Sequence, residues 1–142
     1  TLKHFRNTSR AICSILHTVG SSTGGFVLTL RIEMPDANVA AFVQAARDEL
    51  FPAAMQLTGV LACHLFACDQ LASHIDTTES STRAFDVPSH VLVVEASTHN
   101  AAETARQVVQ GPALARCEVY VRPDAAVYQL EICRLPLRAG HR

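Results

Sequence analysis

One stretch of the chain alternates regularly between apolar and mixed positions. Residues 25–34 read GFVLTLRIEM, which has the two-residue period of a strand with one buried face. Further strands are predicted over 60–68 (VLACHLFAC), over the valine-rich residues 89–97, and in the region 117–135, which Pro123 interrupts. The apolar side of the first strand comprises Phe26, Leu28, Leu30 and Ile32, and the other side Val27, Thr29, Arg31 and Glu33.

Helical spacing separates these strands. Pro35 and Asp36 open a helix that Asp36 can cap, and its apolar residues recur at three- and four-residue steps until Pro52 ends or kinks it. Asn100 is predicted to cap a later helix that stops near Gly111.

The N-terminal part has a different pattern. Before Gly20, apolar residues are spaced as on one side of a helix, and residues 20–25 (GSSTGG) read as a flexible connector. The helical stripe consists of Ile12, Ile15, Leu16 and Val19. We therefore predict an N-terminal helix and Gly/Ser linker over 1–23, followed by the main domain over 24–142.

The order of elements from residue 25 is strand, helix, strand, strand, helix, strand. This order predicts an α+β fold, a ferredoxin-like βαββαβ sandwich with an antiparallel sheet and both helices on one face. The other sheet face then needs cover, because large exposed apolar patches are rare on monomers. Self-association is the simplest way to provide it.

Residues 24–135 resemble the dimeric α/β-barrel superfamily. The resemblance is carried by the segments GGFVLTLRIEM, TGVLACHLFACD, TTESSTRAF, HVLVVEAS and AVYQLEICRL. It implies a homodimer with a small-molecule cavity, and a monooxygenase-like or isomerase/dehydratase-like activity on a small apolar or aromatic compound. The N-terminal helix fits the superfamily pattern poorly and could be the remnant of a preceding domain or repeat. The alternative is a non-catalytic ligand-binding or oligomerisation domain whose sheet face is only the dimer interface.

Strand parity gathers polar and aromatic side chains on the face away from the helices. A histidine beside carboxylates suits general acid or base chemistry, so His64, Arg31 and Glu131 are the predicted catalytic residues. The predicted substrate-binding residues are Phe66, Glu33, Glu95 and Gln129, together with His74 and Arg83 from the polar loop 69–88. The competing interpretation is that these side chains form cross-strand ion pairs or a polar dimer interface.

Composition excludes several classes of function. The net charge is −1 and no basic stripe is present, so we expect no nucleic-acid partner. Charged residues interrupt every long apolar run, so no membrane partner is expected either. The five cysteines contain no CxxC pair, which indicates a reducing compartment and hence the cytoplasm.

No metal or cofactor is predicted. His74 and Asp76 would supply only two ligands, fewer than a metal site needs. Haem is an open alternative for which the residue pattern gives no support.

Overall fold

The computed structural model describes residues 11–70 and 87–130. These ranges contain a six-stranded antiparallel sheet with helices on one face. The elements in chain order are β1 (Ile12–Gly20), β2 (Phe26–Glu33), α1 (Asp36–Ala45), α2 (Phe51–Met55), β3 (Val60–Asp69), β4 (His90–Ala96), α3 (His99–Val109), α4 (Pro112–Ala115), β5 (Tyr120–Val121) and β6 (Ala126–Gln129).

The sheet has the strand order β1-β3-β4-β2-β5, and β6 also pairs with β2. From β2 onward, the strands and principal helices follow the predicted βαββαβ sequence, and every strand pair is antiparallel. The predicted α+β, ferredoxin-like architecture is therefore confirmed. The inner strands are β3, β4 and β2, each of which is paired on both sides, so their side chains can reach both neighbouring strands.

The predicted N-terminal helix is wrong. Residues 12–20 form β1, an edge strand paired along its length with β3. A β-bulge falls between Ile15 and His17, so Leu16 breaks the two-residue alternation and the apolar spacing imitates that of a helix. Gly20 ends this strand rather than a helix, with φ +91°, and a Cβ there would lie 2.2 Å from the carbonyl oxygen of Leu61. β1 therefore belongs to the same sheet as the later strands.

The helix after β2 continues through Pro52, and its turn is wider than that of an α-helix just before this residue. Residues Ala46–Leu50 form a π-helical turn between α1 and α2, in which the N–H of Phe51 donates to the carbonyl of Ala46. Pro52 has no N–H, so it cannot complete the regular hydrogen-bond ladder at the start of α2. Asp36 makes no capping hydrogen bond, because the cap position is occupied by Pro35.

Helix α3 is capped by Thr98, not by the predicted cap residue Asn100. The hydroxyl of Thr98 accepts the N–H of Ala101 at 3.1 Å. Gly59, with φ +91°, makes the turn into β3, and a Cβ there would lie 2.9 Å from that of Ala101. A glycine at this turn therefore lets the start of α3 approach the sheet.

The hydrophobic core lies between the sheet and this helical layer. It takes alternate residues from the strands and the apolar side of the helices. Its fully buried large side chains are Leu28, Leu30, Ile32, Phe42, Leu50, Phe51, Cys63, Leu65, Leu92, Val94 and Val109. No helix within the described ranges is long and apolar enough to cross a membrane.

Candidate functional site

The sheet face away from the helices is only partly covered by the described residues. We call it the open face. On its central strands it consists of Val27, Thr29, Arg31 and Glu33 of β2, His64 and Phe66 of β3, and Val91, Val93 and Glu95 of β4. Each of these side chains is partly accessible, whereas the residues that alternate with them on β2 and β4 are buried or pack against the core. The predicted face for His64 and Phe66 is the one on which the structure places them.

Three side chains on three strands form a hydrogen-bonded Thr–His–Glu cluster, comprising Thr18, His64 and Glu95. Thr18 lies opposite His64 in the β1–β3 register, and its hydroxyl contacts Nδ1 of the ring. The other ring nitrogen, Nε2, lies 2.6 Å from Oε2 of Glu95. Oε1 of the same carboxylate accepts the N–H of Gly24 at 3.3 Å. The carboxylate is thereby oriented toward the imidazole.

The hydrogen-bonding roles in this cluster follow from the carboxylate. An ionised Glu95 only accepts hydrogen bonds, so Nε2 must carry the proton that it shares with Glu95. In the neutral ring Nδ1 is then the basic nitrogen, and it accepts the hydroxyl proton of Thr18. In the imidazolium Nδ1 donates instead, and the Thr18 hydroxyl can donate to the carbonyl of Cys63, 3.4 Å away. Hydrogen-bond partners for the ring and the hydroxyl are therefore present whether the imidazole is neutral or charged.

The surroundings of the cluster are apolar and aromatic. The Phe66 ring stacks on the His64 ring, with centroids 5.9 Å apart. Val93 lies opposite His64 on β4, and Ala62 lies opposite Glu95. The cluster thus places an imidazole and a carboxylate in a surface that is otherwise apolar and aromatic.

Arg31 and Glu33 belong to a second group of charges, nearer β5. Nη1 of Arg31 pairs with Oδ2 of Asp124 at 2.8 Å, and Nε of Arg122 donates to Oε1 of Glu33 at 2.9 Å. An open depression of about 460 Å³ lies beside these pairs and is lined by Glu33, Tyr120, Arg122, Pro123 and Asp124. The residues predicted to line one cavity therefore lie in two separate clusters on the same face. His64 is not among the residues that line the depression.

The predicted placement of Gln129 is wrong. β6 pairs with β2 so that Gln129 lies opposite Phe26, on the helix side, and Tyr128 lies opposite Val27, on the open face. Val127, not Tyr128, is the β6 residue that packs against the core, which reverses the predicted sides of this strand. The predicted residues Glu131, His74 and Arg83 lie outside the described residues, as does Asp76.

Sequence reasoning missed Thr18, Asp124 and Arg122. Each contacts a predicted residue across strands that are far apart in the sequence, so no local spacing links them. The abundance of β-branched residues in ICSILHTVG was the one signal that favoured a strand at Thr18. Within the described ranges, no group of three or more His, Cys, Asp and Glu side chains is placed to hold a metal ion.

Comparisons with known proteins reach only the level of a distant structural likeness. A scan against protein-family models gives no match, and a search of curated proteins gives none either. Among solved structures, the chain is similar to LmHde, a heme-degrading enzyme from Listeria monocytogenes. The identity is 12%, the TM-score is 0.48, and the match covers 87% of this chain and 74% of that one. We carry no activity over from this likeness, and the fold rests on the observed strand order.

Proposed function

We propose that this protein pairs with a second copy through the open face and binds a small apolar or aromatic molecule between the two sheets, with His64 as general acid or base. The observation that supports this proposal is the Thr–His–Glu cluster. It combines a carboxylate-oriented imidazole, an accessible hydroxyl and an aromatic neighbour on one sheet face. A reaction that moves a proton on the ligand is the activity that suits it best.

The exposed apolar side chains of the open face support pairing with a second copy. Ile15 is 66% exposed, Tyr120 60% and Tyr128 52%, and all three lie on this face by their strand register. Exposed aromatic and aliphatic groups of this size are typical of protein interfaces. Arg31 and Glu33 have oppositely charged partners within the chain, and Glu95 is hydrogen-bonded to His64 and to the N–H of Gly24, so two identical faces can meet with these groups already partnered.

The partly accessible side chains beside the cluster support a ligand space. Gly20, Ala62 and Glu95 lie in one row across β1, β3 and β4, next to the row of His64. Sheets packed face to face stand about 10 Å apart, and large side chains normally fill that gap. Ala62 is only 1% exposed, so that row is already covered within the chain. The partly accessible Phe66 and Val93 on the rows beyond it are where a molecule would lie within reach of His64.

The chemistry begins at Nδ1 of His64. Glu95 fixes the ring through Nε2, so Nδ1 is the nitrogen that accepts a substrate proton. Because Thr18 covers Nδ1, its hydroxyl relays the proton or turns aside toward the Cys63 carbonyl when the substrate binds. The Phe66 ring beside the imidazole provides an apolar surface for the substrate.

We do not assign His64 as a haem ligand. In the observed arrangement Nδ1 accepts the Thr18 hydroxyl and Nε2 donates to Glu95, so an iron would have to displace Thr18. We therefore derive no step through haem.

The second candidate function is a non-catalytic assembly domain, in which the open face is only the dimer interface. The observation that favours it is the internal pairing of polar groups: Arg31 binds Asp124, and both His64 nitrogens have partners. Such pairing is also what a stable interface requires.

Sedimentation velocity over a range of concentrations tests the pairing. We expect a dimer for the unmodified chain and a monomer for Val93→Lys, which places a charge in the centre of the open face. Gln107→Lys, on the exposed side of α3, is the matched control and should remain dimeric. A monomer at every concentration would contradict the proposed pairing and the assembly alternative together.

Ligand binding distinguishes the enzyme from the assembly domain. Phenol, catechol and indole are titrated into the dimer while the imidazole resonances are followed by NMR. We expect one or more probes to shift the His64 signals, and His64→Gln to weaken that binding at least about tenfold, a loss typical of removing one charge-assisted hydrogen bond. His99→Gln, on exposed α3, is the matched control. A dimer in which no probe moves the His64 signals would favour the assembly domain.

A further inference from the structure

Two cysteines face each other across neighbouring strands. Cys13 of β1 and Cys68 of β3 are directly opposed in the antiparallel register, and their sulfur atoms lie 3.2 Å apart. Directly opposed residues of antiparallel strands have Cα atoms about 4.5–5.5 Å apart, within the usual range of about 4.4–6.8 Å for disulfides. The backbone is therefore already placed for a disulfide bond between them.

We propose that Cys13 and Cys68 form a reversible dithiol–disulfide site that fastens the edge strand β1 to β3 and reacts with low-molecular-weight disulfides such as glutathione disulfide. This inference does not depend on the proposed function. It concerns a pair that the sequence does not reveal, because 55 residues separate the two cysteines.

The reaction is a pair of thiol–disulfide exchanges. The Cys13 thiolate attacks one sulfur of glutathione disulfide, which forms a mixed disulfide at Cys13 and releases one glutathione thiolate. Cys68 then attacks the Cys13 sulfur, its proton passes to the departing glutathione thiolate, and the bond between Cys13 and Cys68 closes. Two protein thiols are oxidised, and one glutathione disulfide is reduced to two molecules of glutathione.

The order of attack follows from exposure. Cys13 is exposed, while Cys68 is partly covered. Burial, followed by the hydrogen bond and charge of Cys13 and the charge of Glu33, raises the pKa of Cys68 to about 12, against a weaker opposing effect of Arg122. A thiol that stays protonated is a poor first nucleophile, so the external disulfide reacts at Cys13.

The other described cysteines lack such a partner. Cys63 lies on the opposite face of β3, as its five-residue spacing from Cys68 predicts, and is fully buried in the core. Its burial, together with the charge of Glu95, raises its pKa to about 12, which keeps this thiol protonated. Cys117 donates to the carbonyl of Ala113 at 3.3 Å, within its own turn.

The bond would restrain the strand that carries Thr18. Within the described sheet β1 pairs only with β3, so its amides are protected on one side alone. A covalent link at Cys13 holds β1 in register with β3 and reduces local opening of the edge. Oxidation therefore stabilises the contact between Thr18 and His64 without adding any group to the cluster.

The test uses the full chain carrying Cys117→Ser and Cys133→Ser, so that the cysteine pair and the buried Cys63 remain. The protein is incubated with glutathione disulfide and digested with trypsin and chymotrypsin, which separate Cys63 from Cys68 at Phe66. We expect a Cys13–Cys68 linked peptide that dithiothreitol abolishes. We also expect amide exchange of β1 to slow at least about tenfold on oxidation, as for a stabilised local unit.

Cys68→Ser is the paired variant, in which Cys13 should stop at the mixed disulfide with glutathione. The Val93→Lys variant is treated in the same way, because a dimer formed through the open face could keep glutathione disulfide from the thiols. A link from Cys13 to Cys63 would overturn the proposal. It would also be overturned if the background chain and the Val93→Lys variant both gave only glutathionylated Cys13, or both gave only unmodified thiols.

Discussion

The two faces of the sheet place the same residue type in opposite environments. Val93 and Val94 are neighbours on β4, yet Val94 is fully buried against the helices and Val93 is partly exposed on the open face. On the helix face, stability comes from apolar burial, which requires no specific partner. On the open face, polar side chains contact polar side chains of other segments, in the Thr–His–Glu cluster and in two ion pairs. Within the described ranges, these hydrogen-bonded polar side chains therefore lie on the face that the helices do not cover.

Matched truncations of the two valines should show the largest difference. Val94→Ala removes methyl groups from the core and should lower the free energy of unfolding by about 2 kcal/mol. Val93→Ala should cost less than about 1 kcal/mol in a monomeric sample, because its side chain is already partly hydrated. Urea denaturation of both variants at low protein concentration measures the two values.

Equal costs for Val93→Ala and Val94→Ala in a monomer would contradict the difference between the two faces, since they would mean that the open face is covered within one chain. A cost for Val93→Ala that grows with protein concentration would instead support pairing through this face.

The two ion pairs of the open face should contribute less than the core. The Arg122 side chain is 16% exposed and binds Glu33 through two nitrogens, so a double-mutant cycle should give a coupling of about 1 kcal/mol. Arg31 and Asp124 are 30% and 48% exposed, and their coupling should stay below about 0.5 kcal/mol. Alanine cycles followed by urea denaturation provide both numbers. A larger coupling for the Arg31 pair would indicate that this part of the face is less hydrated than described.

The smallest expected effect is a pH dependence that arises on the helix side. His90 is buried there, with Nδ1 3.0 Å from the Ser89 hydroxyl. Burial lowers the pKa of His90, and the carboxylates of Asp36 and Glu33 partly oppose the shift. Below the unfolded-state value of about 6.5, the unfolded chain binds a proton at this site more readily than the folded chain. The free energy of unfolding should therefore fall as pH drops through this window.

Urea denaturation between neutral pH and mildly acidic pH checks the sign. His90→Gln should flatten the decline relative to the unmodified chain. A steeper decline in His90→Gln would show that the protonated form of His90 is favoured in the folded protein.

The sequence predicted much of the helix face. The alternation of Leu28, Leu30 and Ile32 correctly identified the buried side of β2, and the order of strands and helices gave the α+β fold. It also placed His64 and Phe66 on the face away from the core. These features are local, because a side chain's face depends on its position in its own strand.

The contacts on the open face depend on how distant strands pair, which no single segment of the sequence specifies. The β-bulge in β1 gave its apolar residues the spacing of a helix, so the strand was not predicted. The pairing of β6 with β2 reversed the predicted sides of β6. Pairing of β1 with β3 brought Thr18 to His64 and Cys13 to Cys68, and pairing of β5 and β6 with β2 brought Asp124 to Arg31. Register between distant strands is set by how the whole sheet packs against its helices, so no spacing within a single segment encodes these contacts.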